Sequence, residues 1–228
     1  MKDDFHIDFK DLKSKIDGQT KMVFLCNPNN PTGLIESKEE ILDLVKSTDA
    51  LVVVDEANIE FGGESVIDFV NELENLLVIR TFSKGYGLAG MRIGYCAGNE
   101  GLMYYIWRLR PPFTNTYLAQ KTALEALTDE DHIQKSREYV SKERKYLTHE
   151  LSKRGFKVIP SSANCFLVKV TPKFESSTVF NELLHKHDCT VVDGKHFRSL
   201  GSDYVRVAPQ LHEVNERFIS IVDQLLKS

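Results

Sequence analysis

Three apolar runs in this sequence each end in a cluster of residues that could do chemistry. Met22–Cys26 leads into Asn27-Pro28-Asn29-Asn30-Pro31-Thr32-Gly33, and Leu51–Asp55 ends in Asp55-Glu56-Ala57-Asn58. Leu76–Phe82 leads into Thr81-Phe82-Ser83-Lys84. Together they offer a primary amine, carboxylates, amides and hydroxyls. A lysine between a buried strand and a glycine-rich loop is a candidate nucleophile that condenses with a carbonyl to a Schiff base. A solvated surface lysine is the plainer reading of any single lysine, so the neighbouring clusters carry the argument.

The elements that must position these residues follow from the pattern. The three runs are β-branched and apolar without clean alternation, as strands buried on both faces are. Between the first two, Ser37 and Glu40 form a capping box, and Ile41, Leu44 and Val45 make the apolar stripe of a helix. A shorter apolar pattern, Val66–Leu73, separates the second run from the third. Alternating strands and helices predict an α/β fold, a mostly parallel sheet with helices on both faces joined by right-handed crossovers. Ligands of such open sheets bind outside the carboxyl ends of the strands, so all three polar clusters are expected to open onto one cleft.

A fourth strand, Ile93–Gly98, follows the glycine-rich loop. Leu102, Ile106 and Leu109 then stripe a helix stopped by Pro111–Pro112, and a second helix covers Leu118–Leu127. A long third helix carries Ile133, Val140, Leu147 and Leu151 on one face and ends at Gly155, a suitable C-cap. Strands are expected at Phe156–Pro160, Cys165–Val170, Cys189–Asp193 and Tyr204–Ala208. They flank a helix striped by Val179, Phe180, Leu183 and Leu184, and a last helix carries Val214, Phe218, Ile221, Val222 and Leu225. This second part reads as a small α+β domain over residues 131–228, after a first domain over 1–130.

Composition narrows the function classes. With 228 residues, 42% hydrophobic and 27% charged, the chain has the makeup of an ordinary globular protein. A net charge of −4 leaves no basic footprint for nucleic acid. No apolar stretch approaches the roughly 18 residues that span a bilayer, and the acidic N-terminus lacks the apolar core of a secretory signal. The four cysteines, Cys26, Cys96, Cys165 and Cys189, form no C-x-x-C pair. That spacing points to a reducing, cytoplasmic compartment, with neither a zinc site nor a disulfide framework.

One motif invites a wrong reading. Gly85-Tyr86-Gly87-Leu88-Ala89-Gly90 fits G-x-G-x-x-G after a strand. A dinucleotide fingerprint must open a helix and be followed by an acidic residue about 20 positions on. Here the strand-like RIGYCAG follows instead, so a dinucleotide-binding module is disfavoured.

NPNNPTG, then DEA after an apolar strand, then TFSKGYGLAGMRIGY, resemble the fold-type I pyridoxal-phosphate aminotransferases of class I/II. The resemblance is to the histidinol-phosphate aminotransferase and threonine-phosphate decarboxylase branch, and continues through SANCFLV, YVRVA and the last helix. It implies an incomplete large domain of the aspartate-aminotransferase fold plus a C-terminal small domain, with pyridoxal 5′-phosphate as cofactor. Lys84 would then be the Schiff-base lysine and proton shuttle. Asp55 would pair with the pyridinium nitrogen and keep the ring an electron sink, although an aspartate ending a strand is also a common helix N-cap. Asn30 would bond the ring's phenolic oxygen, while also serving turn chemistry. Thr81, Ser83 and Arg92 would bind the phosphate, and Arg206 the substrate's carboxylate.

The implied reaction is amino transfer between an amino acid, with histidinol phosphate among the candidates, and a 2-oxo acid. A threonine-phosphate-type decarboxylase is the alternative within the fold, and an inactive remnant that only binds a partner is the alternative outside it. The sequence departs from the family pattern at three points. Asn58 stands where a tyrosine usually follows DEA. Val192, in Val191-Val192-Asp193, stands where the phosphate-substrate branch has arginine, with Lys195, His196 and Arg198 nearby. The first third of the family's length has no counterpart. A sheet lacking its earlier strands is expected to expose an edge and an apolar face, and a homodimer is what the resemblance implies for a full-length chain.

Overall fold

The computed structural model describes residues 4–227. The chain divides into two compact units, one of residues up to 29 with 34–137, the other of residues 30–33 with 138 onward.

The first unit opens with a short helix, α1 (Phe9–Ser14), capped by Asp8, whose side chain accepts the Asp11 N–H. Then come β1 (Met22–Cys26), α2 (Lys38–Lys46), β2 (Leu51–Asp55), β3 (Leu76–Thr81) and β4 (Gly94–Ala97). The sheet order is β1-β2-β3-β4, with β1, β2 and β3 parallel and β4 antiparallel to β3. Helix α2 starts where Ser37 predicts, its Oγ accepting the Glu40 N–H at 3.2 Å. Ile41, Leu44 and Val45 pack with Val23, Leu25, Val52, Val54, Leu76 and Val78 in one core. Each such side chain contributes about 1.5–3 kcal/mol on burial. The opposite face of β1 stays open, with Met22 and Phe24 more than half exposed.

One local expectation changes in this unit. The Val66–Leu73 pattern forms a single 3₁₀ turn, Ile67–Phe69, rather than a helix. The start of this connection is pinned because Glu56 accepts the Val66 N–H at 2.8 Å. Its end is pinned by Asn75, whose amide donates to the carbonyls of Val45, Thr48 and Ala50. Between those two ties Val66 and Val70 still bury themselves as the apolar spacing demands. The fourth strand is antiparallel because a glycine loop, not a helical crossover, joins it to β3.

Three helices follow: α3 (Glu100–Leu109), α4 (Tyr117–Ala126) and α5 (Glu130–Lys153). Asn99 and Thr116 cap the first two through side-chain oxygens that accept the Leu102 and Ala119 N–H groups. Tyr104, Tyr105, Trp107, Leu109, Tyr117 and Leu118 on α3 and α4 are exposed.

Helix α5 continues into the second unit, where Gly155 takes φ +75° and the Phe156 N–H returns to the Leu151 carbonyl at 3.1 Å. Glycine is suited there because the left-handed backbone costs it nothing. This unit adds β5 (Lys157–Val158), β6 (Phe166–Lys169), α6 (Ser177–His185), β7 (Val192–Asp193), β8 (Tyr204–Val207) and α7 (His212–Leu225). Its sheet is antiparallel, in the order β5-β6-β8-β7. Leu147, Leu151, Phe166, Phe180, Leu184, Val205 and Val222 form the core.

The strand expected over Cys189–Asp193 shrinks to its last two residues. The Cys189 N–H closes the end of α6 on the Leu184 carbonyl, and the Asn181 amide takes both the N–H and the carbonyl of Val191. Those groups are then unavailable to a sheet ladder. Among the described residues no helix is long and apolar enough to cross a membrane, and no disulfide joins the four cysteines.

Candidate functional site

In the first unit the register sets Asp55 beside Cys26 on one side and Ile79 on the other, at the carboxyl ends of three parallel strands. Strand alternation sends Asp55 and Glu56 to different surroundings. Glu56, 1% exposed, accepts Nε and Nη2 of Arg80 at 2.9 and 2.8 Å, the Ser65 hydroxyl at 2.7 Å and the Val66 N–H. Asp55 is only partly buried. Its Oδ1 accepts the Ala57 N–H at 2.9 Å, a local turn rather than the N-cap of an α-helix, since only the 3₁₀ turn Ile59–Phe61 follows. Its other oxygen has no partner among the described residues.

Past β3, Thr81 Oγ1 accepts the Ser83 N–H at 3.1 Å and starts a tight turn. Phe82 is buried and packs on Tyr86 and Tyr95. The loop folds back through Gly87 N–H to Lys84 C=O at 2.9 Å and Leu88 N–H to Phe82 C=O at 2.9 Å. Lys84 is exposed, and its amine has neither a hydrogen bond nor an ion pair among the described residues. Arg92 sits in left-handed backbone at φ +50°, with Nη1 donating to Ala89 C=O at 3.0 Å. The glycine motif leads through a short 3₁₀ turn, Ala89–Met91, into β4 and opens no α-helix. The dinucleotide fingerprint fails on that ground.

In the second unit Arg206 lies on β8, paired across the sheet with Leu167 and Val192. Its Nη1 donates to Asn30 Oδ1 at 2.9 Å, joining residues 176 positions apart. Its guanidinium stands 5.8 Å from the Phe197 ring centre, and its Nε is buried without a partner. The segment bearing Asn30 is held by Ser162 N–H to Gly33 C=O at 2.9 Å. Gly33 adopts φ +73°, and a Cβ there would collide with the Ser161 hydroxyl. Lys195 is already engaged, donating to Thr178 Oγ1 at 3.0 Å and lying 3.4 Å from Asp193.

The structure therefore groups Asp55, Thr81, Ser83, Lys84 and Arg92 at the strand-end side of one unit, and Asn30 with Arg206 in the other. Sequence reasoning missed Glu60 and Arg80 and gave Glu56 no role of its own. Glu60 is 6% exposed and its Oε2 lacks a partner. Burial pushes its carboxyl above the usual range, with Arg80 and Arg137 pulling the other way. The signal was a glutamate between apolar residues, Ile59 and Phe61. Asn58 is also buried, with its Oδ1 unpartnered.

Residues 1–221 match the aminotransferase class I and II family. The chain belongs to that family. A histidinol-phosphate aminotransferase of Methanothermobacter thermautotrophicus is 39% identical over 222 residues, covering 97% of this chain and 60% of that protein. Among solved structures, the histidinol-phosphate aminotransferase of Clostridium acetobutylicum superposes with a TM-score of 0.92 at 28% identity, over 99% of this chain and 70% of the other. The L-threonine-O-3-phosphate decarboxylase of Porphyromonas gingivalis gives a TM-score of 0.81 at 26% identity, over 94% and 67%. The chain spans about 60% of the length of the curated relatives it matches. Family membership makes it an aminotransferase-type chain with the aspartate-aminotransferase fold.

The donor set suits the family's cofactor. A free amine for an aldehyde, a carboxylate oxygen for a ring nitrogen, and two hydroxyls with a guanidinium for a dianion are all present in the first unit.

Proposed function

We propose that this chain carries the cofactor lysine and the carboxylate-binding arginine of a pyridoxal-phosphate-dependent transaminase. The enzyme would move an amino group between an amino acid and a 2-oxo acid. The observation that carries the reading is the unpaired Lys84 amine on the turn after β3, one strand over from Asp55 at the end of β2. Bound pyridoxal 5′-phosphate would supply an aldehyde and an electron-withdrawing ring. Thr81, Ser83 and Arg92 would anchor its phosphate, and Asp55 would hold the proton on its ring nitrogen. Lys84 would take the proton from the substrate Cα and return it. Arg206 would orient the substrate by its carboxylate, with Asn30 fixing one end of the guanidinium.

For a phosphorylated donor, which the relatives' names suggest, β7 offers Val192 opposite Arg206, and Lys195 is engaged elsewhere. An unphosphorylated amino acid is therefore the donor we favour. The compartment is cytoplasmic and the assembly a homodimer, to which the exposed aromatic surface of α3 and α4 would contribute.

Product analysis tests the reading. Incubation with pyridoxal phosphate and single amino acids should yield the matching 2-oxo acid, at comparable or higher rate than with histidinol phosphate. Carbon dioxide release without 2-oxo acid would replace transamination by decarboxylation.

A further inference from the structure

The residue after Lys84 rests on a carboxylic acid that the cofactor set does not use. Glu60 lies in the 3₁₀ turn Ile59–Phe61, 6% exposed. A Cβ built on Gly85 would lie 2.6 Å from Glu60 Cβ, 2.9 Å from its Cγ and 3.5 Å from its Oε2. Gly85 is thus a glycine because the Lys84–Gly85 backbone lies directly on the Glu60 side chain. The glutamate cannot easily retreat, since Arg137 Nε donates to its backbone carbonyl at 2.7 Å. Its Oε2 is a buried polar atom without a protein partner, which is rare in folded proteins.

We propose that Glu60 is a positioning residue for Lys84: its side chain is the floor that sets where the lysine's backbone, and hence its amine, stands. The role of Lys84 itself rests on the function proposed above. The ionisable groups around the Glu60 carboxyl are Glu56 after β2, Arg80 on β3, Arg137 on α5 and Tyr86 in the lysine loop. Burial is the largest influence and favours the neutral acid. An amide keeps the shape of the carboxyl without its charge, so Glu60→Gln should preserve the floor. Glu60→Ala removes it, and Gly85→Ala lifts the backbone off it.

Two readouts separate this proposal from the cofactor assignment. The first needs no cofactor: the rate at which acetic anhydride modifies Lys84, relative to other lysines, followed against pH by peptide mass spectrometry. The second is the yield of borohydride-fixed pyridoxyl phosphate on Lys84. Glu60→Gln should match the parent protein in both. Glu60→Ala and Gly85→Ala should change the relative modification rate or its pH midpoint. They should also lower pyridoxyl yield about tenfold or more, since an ångström of misplacement costs up to about 10²-fold. If Glu60→Ala does not fold, Gly85→Ala interrogates the same contact from the other side. Identical behaviour of all variants in the modification assay overturns the proposal, as does Glu60→Gln failing as badly as Glu60→Ala. Absence of pyridoxyl from the parent protein counts against the cofactor assignment alone, and the modification assay still judges Glu60.

Discussion

Removing Arg80 tests how the loop beyond β2 is held. Arg80 is 17% exposed at its side chain and gives two hydrogen bonds, 2.9 and 2.8 Å, to Oε2 of a glutamate that is 1% exposed. It also donates to the Ser65 hydroxyl at 2.6 Å. Arg80→Met keeps much of the apolar stem but strands the Glu56 charge in the interior. Breaking a buried pair in this way costs about 3–5 kcal/mol. Glu56 retains the Ser65 hydroxyl and the Val66 N–H, which places the expected loss near the lower end, about 3 kcal/mol. For a chain of this size that is a fall in Tm of roughly 6–12 °C, at about 2–4 °C per kcal/mol. Calorimetry on Arg80→Met, Glu56→Gln and the double variant closes the cycle. The double variant should be less damaged than the sum of the singles by about 1 kcal/mol or more. A Tm within about 2 °C of the parent for Arg80→Met, with additive singles, would refute the view that this pair holds the loop.

Other outcomes follow from the same reasoning. Asp193 is buried, which opposes its charge, but hydrogen bonds from Ser177, the Lys195 N–H and Thr178 outweigh that and hold its carboxyl at about 2 rather than 3.8. Its stabilising contribution is present above the ordinary value and is lost as pH falls through about 2. Asp193→Asn should therefore lower Tm at neutral pH by an amount worth about 1–3 kcal/mol, and melting curves of the two proteins should converge between pH 4 and pH 2. Gly33→Ala should cost about 2 kcal/mol or more by denaturant titration, because the left-handed backbone alone costs about 1–2 kcal/mol and the new methyl meets Ser161 and the Cys165 carbonyl. Arg206→Lys loses the planar fork that Asn30 holds, so amino-transfer kinetics should show the substrate KM rising more than kcat falls.

The elements with strong local rules were legible from residues alone. Ser37 marked the start of α2, the β-branched runs without alternation marked the parallel strands, and Gly155 marked the end of α5. What failed depended on distant side chains. The Val66–Leu73 pattern has helical spacing, yet Glu56 and Asn75 tie both ends of the connection, and neither tie is visible in a local window. Cys189–Val191 looks like strand, but the Asn181 side chain replaces the missing ladder. At the site, the polar strand ends stood out because polar residues terminated apolar runs. Glu60 did not, because a glutamate beside Ile59 and Phe61 reads as the solvent face of a short helix until its burial under Gly85 is known. The pairing of Asn30 with Arg206 spans most of the chain, and no pattern in sequence could have supplied it.

The central claim concerns Lys84, and reductive trapping addresses it most directly. The chain is incubated with pyridoxal 5′-phosphate, reduced with borohydride, digested, and the pyridoxyl adduct located by mass spectrometry. The account predicts a near-stoichiometric adduct on Lys84, abolished in Lys84→Ala and much reduced in a folded Asp55→Ala. An adduct spread evenly over surface lysines, or undiminished in Asp55→Ala, would contradict it.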